Sequence, residues 1–135
     1  MIRNIPIRYN DDMLLKELEE FEGKFDCLYL PFDFVQNGNR GYAFINFIHT
    51  YHILQFYDKF EGKPWNLFES KKICELNYAR FQGINEIKRH STRYKGCKKP
   101  LFFNANHNEK KEIPKVILKS LILINNKLLS KLLFH

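Results

Sequence analysis

The stretch RGYAFINF, at residues 40–47, is the feature that most constrains how this chain folds. Side chains of a β-strand point alternately to opposite faces of the sheet, so this stretch has two unlike faces. One face carries the residues expected to enter a core, Ala43, Ile45 and Phe47. The other carries a guanidinium and two rings, from Arg40, Tyr42 and Phe44. Exposing aromatic rings to water costs free energy, so the second face predicts a surface that is covered by a ligand.

The same stretch fits the RNP1 signature of the RNA recognition motif (RRM), which reads K/R-G-F/Y-G/A-F-V-x-F/Y. Every fixed position matches, with Ile45 in place of Val. On such strands RNA bases stack on the outward rings, and arginine meets phosphate. The pattern therefore favours RNA binding over an ordinary strand that happens to be rich in aromatic residues.

The cysteines are odd in number and form no CxxC pair, at Cys27, Cys74 and Cys97. This spacing argues against a disulfide framework and against a zinc site, and it fits a reducing compartment. No metal site and no cofactor are expected. The chain opens Met-Ile-Arg-Asn without a signal peptide, so the predicted location is nuclear and/or cytoplasmic.

Hydrophobic periodicity predicts the order β-α-β-β-α-β, which is the α+β ferredoxin-like fold. It implies a four-stranded antiparallel sheet with two helices on one face, and the opposite face is expected to be open. Asn10 is the expected cap of the first helix and Thr50 of the second. The strands are expected near residues 1–6, 25–31, 40–47 and 72–80. Because the chain starts inside a predicted central strand, a fragment or a late-starting gene prediction is one expectation.

The candidate RNA-binding residues lie on the predicted open face. Tyr42 and Phe44 are the expected stacking platform, and Tyr29 faces the same side from the second strand. Phosphate contacts are expected from the arginines, and base-edge contacts from two amides that both donate and accept hydrogen bonds. These further residues are Arg3, Arg40, Arg80, Asn4 and Asn77.

Charge divides the chain into three predicted segments. Residues 1–82, the expected RRM, hold 10 Lys and Arg against 12 Asp and Glu, whereas residues 83–135 hold 12 against 3. Residues 83–103 are expected to form a basic helical extension, with a short helix around Ile84 and Ile87. The positive field that attracts a polyanion would then come from the extension, because residues 1–82 carry more acidic than basic side chains. A solvated linker is the alternative interpretation of its basic run.

Residues 104–135 form a tail dominated by Asn, Lys, Leu and Ile. Its apolar part is interrupted by lysines and asparagines, so no stable membrane insertion is expected. A basic amphipathic helix that contacts a protein partner or a membrane surface is one hypothesis. Biased sequence without a selected function is the other.

A resemblance to a known family rests on several blocks together. The segments MIRNIP, YNDDMLLKEL, YLPFDF, GYAFINF and YARFQG resemble the carboxy-terminal RRM of the Mei-two-like meiosis-regulator proteins. The resemblance covers about residues 1–103. It implies an RNA-binding module similar to regulators of meiosis and development, with an extra helical extension. Members usually carry three RRMs, whereas this chain has one, and the RNP2 aromatic position falls on Met1.

A single-stranded RNA-binding module is expected in preference to two other function classes. An RRM-fold protein-interaction module is the alternative. The slight excess of acidic residues in 1–82 favours it, and the aromatic rings expected on the open face of the sheet argue against it. An enzyme is not expected, because the loop IPIRYN lacks a glycine-rich phosphate cradle. The sequence also shows no Ser-His-acid or Cys-His arrangement typical of a nucleophilic site.

Overall fold

The computed structural model describes residues 1–93 and 98–103. Within these residues, strands and α-helices follow one another with a 3-10 turn at Glu19–Phe21 after the first helix. The bounds, in chain order, are β1 Ile2–Arg3, α1 Asp11–Glu17, β2 Phe25–Tyr29, β3 Phe32–Asp33, β4 Gly38–Asn39, β5 Tyr42–Phe47, α2 Tyr51–Phe60, β6 Glu75–Leu76, α3 Gly83–Ser91 and β7 Leu101–Phe102.

The main sheet is antiparallel and has the strand order β6-β1-β5-β2-β7. Ile2 of β1 lies opposite Ala43 on one side and Leu76 on the other. Leu28 of β2 lies opposite Ile45. The predicted ferredoxin-like β-α-β-β-α-β fold is confirmed, because α1 and α2 connect strands of this sheet and share one core with it.

The sheet has five strands where four were predicted. The additional strand, β7, pairs with the free edge of β2, so that Leu101 lies opposite Leu28. No sequence pattern predicts this strand, because two residues are too short for a detectable alternation. The segment between β2 and β5 forms a hairpin of β3 and β4, with Asn37 at a φ of 53° in its turn.

The helix caps follow the sequence in one case and not in the other. The Asn10 side chain accepts a hydrogen bond from Met13 N at 2.9 Å, which confirms the predicted cap of α1. Thr50 precedes α2 as predicted, but its side chain makes no capping hydrogen bond. Its φ of −63° and ψ of −27° are already helical, whereas a capping hydroxyl needs an extended backbone. The prediction that Thr50 caps α2 is therefore wrong.

The main core lies between the sheet and the pair α1 and α2. Its buried residues include Ile2, Leu28 and Ala43 from the sheet, with Leu14 from α1 and Phe56 from α2. Phe47 of β5 packs on this core, 5.0 Å from Phe56 between ring centroids. The alternation of RGYAFINF therefore places its core-side residues, Phe47 included, on the face covered by α1 and α2, as predicted.

Candidate nucleic-acid interface

Three aromatic rings predicted to face RNA meet on the sheet face opposite α1 and α2. Tyr29 and Phe44 are cross-strand partners in β2 and β5, and their rings stack with centroids 6.1 Å apart. The Tyr42 ring follows along β5 and meets Phe44 edge-on at 5.6 Å. The strand register therefore brings the rings together, because residues at alternate positions share one face.

This face is not open as expected, because α3 packs across it. Ile87 of α3 is buried in one cluster with Cys27, Tyr29 and Phe44. Phe44 is 6% exposed and Tyr29 4%, whereas Tyr42 is half-buried. The expectation that Phe44 and Tyr29 stand in solvent is therefore wrong. The physical reason is that α3 has an apolar stripe at Ile84 and Ile87, which gains more by covering rings than by facing water.

A cleft remains between the sheet and α3, and Tyr42 lies in it. Its volume is about 390 Å³. It brings together five of the predicted site residues with four residues that were not predicted as ligands. The lining residues are Met1, Arg3, Tyr42, Phe44, Asn77, Tyr78, Arg80, Phe81 and His90.

Polar groups are already ordered at the cleft. With its amide oriented so that Nδ2 donates to the Leu76 carbonyl at 2.7 Å, Asn77 Oδ1 accepts from Arg3 Nη1 at 3.3 Å. Arg80 is exposed beside them. A guanidinium next to an amide offers donors for phosphate and both donors and acceptors for base edges.

Tyr29 is buried and does not line the cleft, and two other predicted residues also lie outside it. Asn4 is exposed with a φ of 58°, and its carbonyl accepts a hydrogen bond from Trp65 Nε1 at 2.8 Å. Arg40 is exposed immediately before Gly41, whose φ of 83° turns the chain into β5. Both belong to the loops at one end of the sheet, so they flank the cleft rather than line it.

Asn39 is a buried residue that sequence reasoning missed. Its Nδ2 donates to the carbonyls of Pro6, Ile7 and Tyr9 at 2.7, 3.1 and 2.9 Å. Its Oδ1 accepts from Gly41 N at 2.7 Å. One side chain thus joins the loop after β1 to the start of β5. The only signal in the sequence was an asparagine directly before RGYAFINF, which is equally typical of a turn.

Two aromatic residues that line the cleft come from beyond β6. The Phe81 ring lies 4.7 Å from Phe44, and the His90 ring stacks on Phe81 at 4.5 Å and 24°. Burial lowers the pKa of His90 below its ordinary value, and the Arg93 guanidinium lowers it further. His90 therefore presents a neutral ring at pH 7. No sequence pattern places either ring next to RGYAFINF, because both residues follow the last predicted strand.

The predicted short third helix is confirmed as α3, but some basic residues near it have partners within the chain. Lys98 Nζ lies 2.6 Å from Asp11 Oδ2. Lys88 Nζ lies 4.8 Å from the centre of the Phe102 ring. A phosphate contact by Lys98 would therefore compete with its ion pair to Asp11. Lys95 and the tail at 104–135 lie outside the described residues.

Among residues 1–93 and 98–103, no helix is both long and apolar enough to cross a membrane. The same ranges contain no group of three or more His, Cys, Asp or Glu side chains placed to hold a metal ion.

Comparisons with known proteins point to one family. The model of the family described as RNA recognition motif 2 matches residues 1–92. The chain is 43% identical over 113 residues to Protein MEI2-like 2 of Oryza sativa subsp. japonica, covering 78% of this chain and 13% of that protein. It is 42% identical over 115 residues to Protein MEI2-like 4 of Arabidopsis thaliana, covering 80% and 13%. The chain thus spans about an eighth of the length of these relatives.

Proposed function

The chain belongs to the RNA recognition motif 2 family, shared with MEI2-like proteins, and is an RNA-binding module, so we propose that it holds single-stranded RNA at the cleft beside Tyr42. The observation that carries this proposal is the half-buried Tyr42 ring, which is bordered by Arg3, Asn77 and Arg80 in one cleft. Such a group offers a stacking surface, phosphate contacts and base-edge contacts within the span of a few nucleotides.

Each residue has a distinct proposed role. Tyr42 stacks on one base, because its ring is more accessible than those of Tyr29 and Phe44. Arg3 and Arg80 contact phosphate, and Asn77 bonds a base edge. Arg40 and Asn4 contact the RNA strand as it leaves the cleft. Phe44 and Tyr29 act from beneath, where they hold the Tyr42 ring in place through the contacts already described.

The test compares three variants by equilibrium binding to a short unstructured RNA. Tyr42→Ala should weaken binding by about 1–3 kcal/mol, the usual value of one base–aromatic stack. Tyr42→Phe keeps the ring and should bind nearly as the parent does. Tyr51→Ala removes a ring from α2, in the opposite layer, and should leave binding unchanged. A folded Tyr42→Ala protein with parental affinity would show that RNA binds elsewhere.

A protein-interaction module is the second proposal, because residues 1–82 carry more Asp and Glu than Lys and Arg. An RNA site releases counterions on binding, so its affinity falls steeply with salt. Binding that is insensitive to both salt and Tyr42→Ala would favour a protein ligand.

We also propose a protein partner for the tail and a nuclear and/or cytoplasmic location.

We further propose that the chain acts by binding rather than by catalysis. The candidate nucleophiles of the described residues support this: burial raises the pKa of the Cys27 thiol to about 11 and that of Cys74 to about 12. Thiols with such values hold little thiolate at neutral pH, and the thiolate is the reactive form. A regulatory role in meiosis or development, as the family resemblance implies, is also proposed for this chain.

A further inference from the structure

We propose that the cleft is a slot for a single nucleobase, in which α3 and the segment before it form the second wall. This inference rests on the proposed function and makes it more specific. The sheet supplies one wall through Tyr42, and Phe81 and His90 supply the other. The helix that covers Phe44 would then be part of the RNA site and not merely a cover over it.

The ring geometry supports two walls of one slot. Phe44 lies at the floor, where Tyr42 meets it edge-on at 77° and Phe81 meets it tilted at 43°. His90 continues the second wall by stacking on Phe81, with its centroid 5.9 Å from Phe44. Tyr42, Phe81 and His90 are each partly exposed, whereas Phe44 is buried. The exposed surfaces of these three rings therefore line one cleft, where a flat aromatic ligand can stack.

Size and charge favour a nucleobase over a larger apolar ligand. The cleft volume of about 390 Å³ lies near the small end of the range for small-ligand sites, roughly 300–1,000 Å³. Arg3 and Arg80 provide positive charge beside it, while Asn77 lies at its polar side. A nucleotide could make all three kinds of contact at once. Its base would stack on the rings and bond the Asn77 amide, and its phosphate would lie against the arginines.

The second wall depends on a small anchor. Ile87 is 3% exposed and packs with Cys27, Tyr29 and Phe44, which holds α3 against the sheet. His90 follows Ile87 by three positions, so it lies on the same side of the helix. Releasing Ile87 from the sheet would therefore move His90 away from Tyr42 and open the slot.

The first experiment compares neighbouring α3 residues in the full chain. The probe is a fluorescein-labelled pool of random RNA octamers, and the readout is affinity by anisotropy. His90→Ala should weaken binding about tenfold, in the range of one lost stack. His90→Phe restores a ring and should recover the affinity. The matched control is Arg89→Ala, which removes a side chain paired with Glu86 and outside the cleft. Equal affinity of His90→Ala and Arg89→Ala would overturn the slot.

The second experiment separates a wall from a cover. Ile87→Asp places a charge in the buried cluster and should undock α3. If α3 is a wall, RNA binding weakens by at least as much as in His90→Ala. If α3 only covers the rings, binding tightens, because Phe44 and Tyr29 become accessible. Ile87→Ala, a milder change, should move affinity in the same direction and gives the answer if Ile87→Asp does not fold.

Tyr42→Ala keeps this test distinct from that of the proposed function. Weaker binding by Tyr42→Ala with parental binding by His90→Ala and Ile87→Ala would place RNA on the sheet and remove the slot. Parental binding by Tyr42→Ala as well would contradict both.

Discussion

Consecutive residues in the strands of the main sheet lie on opposite faces and have very different surroundings. Leu28 points into the core shared by α1 and α2, whereas the preceding residue, Cys27, points to α3. The first face is buried by two helices and the connections between them. The second is buried mainly by Ile87, with half-buried residues around it. The same strands thus contribute to a thick core on one side and to a thin, partly exposed cluster on the other.

The difference separates stability from binding. Apolar area removed from water is the main source of folding free energy, so most of it should come from the α1–α2 face. The α3 face buries less and keeps Tyr42, Phe81 and His90 accessible beside arginines. Elements with few buried contacts open most readily, which suits a surface that must admit a ligand.

The largest effect is expected on the α1–α2 face. Leu28→Ala should lower the free energy of unfolding by about 2–5 kcal/mol, because it leaves a cavity at a residue that is 1% exposed. Urea denaturation followed by circular dichroism measures the change. A loss under about 1 kcal/mol would mean that this face is not the main core.

A smaller effect is expected on the α3 face. Ile87→Ala should lower the free energy of unfolding by about 2 kcal/mol, the low end of the range for Ile→Ala, because the thin α3 face can collapse around the loss. The loss should be local: hydrogen exchange should accelerate in α3 and remain unchanged in α1 and α2. Uniform acceleration throughout the sheet and all three helices would show instead that both faces unfold as one unit.

The two buried thiols, one on each face of the sheet, test the difference between the two faces without any substitution. At pH 8 both should react slowly with iodoacetamide, since raised pKa values keep them protonated. Cys27 should nevertheless react faster than Cys74, because it is covered by α3 while Cys74 lies in the main core. Peptide-level mass spectrometry after timed labelling gives both rates, with urea-unfolded protein as the reference. Equal native rates would contradict a weaker α3 face.

The smallest effect concerns the charges at the edge of the α3 face. Arg80→Gln should reduce the salt dependence of RNA binding by about 0.7 in the logarithmic slope, as expected for one phosphate contact on a single strand. Lys98→Gln should change this slope less, because Lys98 is paired with Asp11. It should cost at most about 1 kcal/mol of stability. Lys99→Gln is the matched charge control. A larger slope change for Lys98→Gln than for Arg80→Gln would place RNA on the extension.

The sequence predicted much of the fold because its strongest pattern has period two. Alternation in RGYAFINF distinguishes the side of Ala43 from that of Phe44 without any tertiary information. It could not show that α3 docks on the second side, because the spacing of Ile84 and Ile87 predicts an apolar stripe and not its partner. Arg3, Tyr42, Asn77 and Arg80 were selected from strand positions. Phe81 and His90 reach the same cleft through packing that no local pattern records.

The strand β7 has a consequence for any shortened form of this chain. All five residues of β2 are buried, and β7 covers the edge of β2 that would otherwise present unpaired backbone groups. Lysines at 98 and 99 and Pro100 precede β7, and such residues discourage further strand pairing at an edge. Removing residues after Arg80 would therefore expose a hydrophobic template on which other copies can add strands. We expect such a truncation to precipitate on concentration, so the role of α3 should be studied by substitution in the full chain.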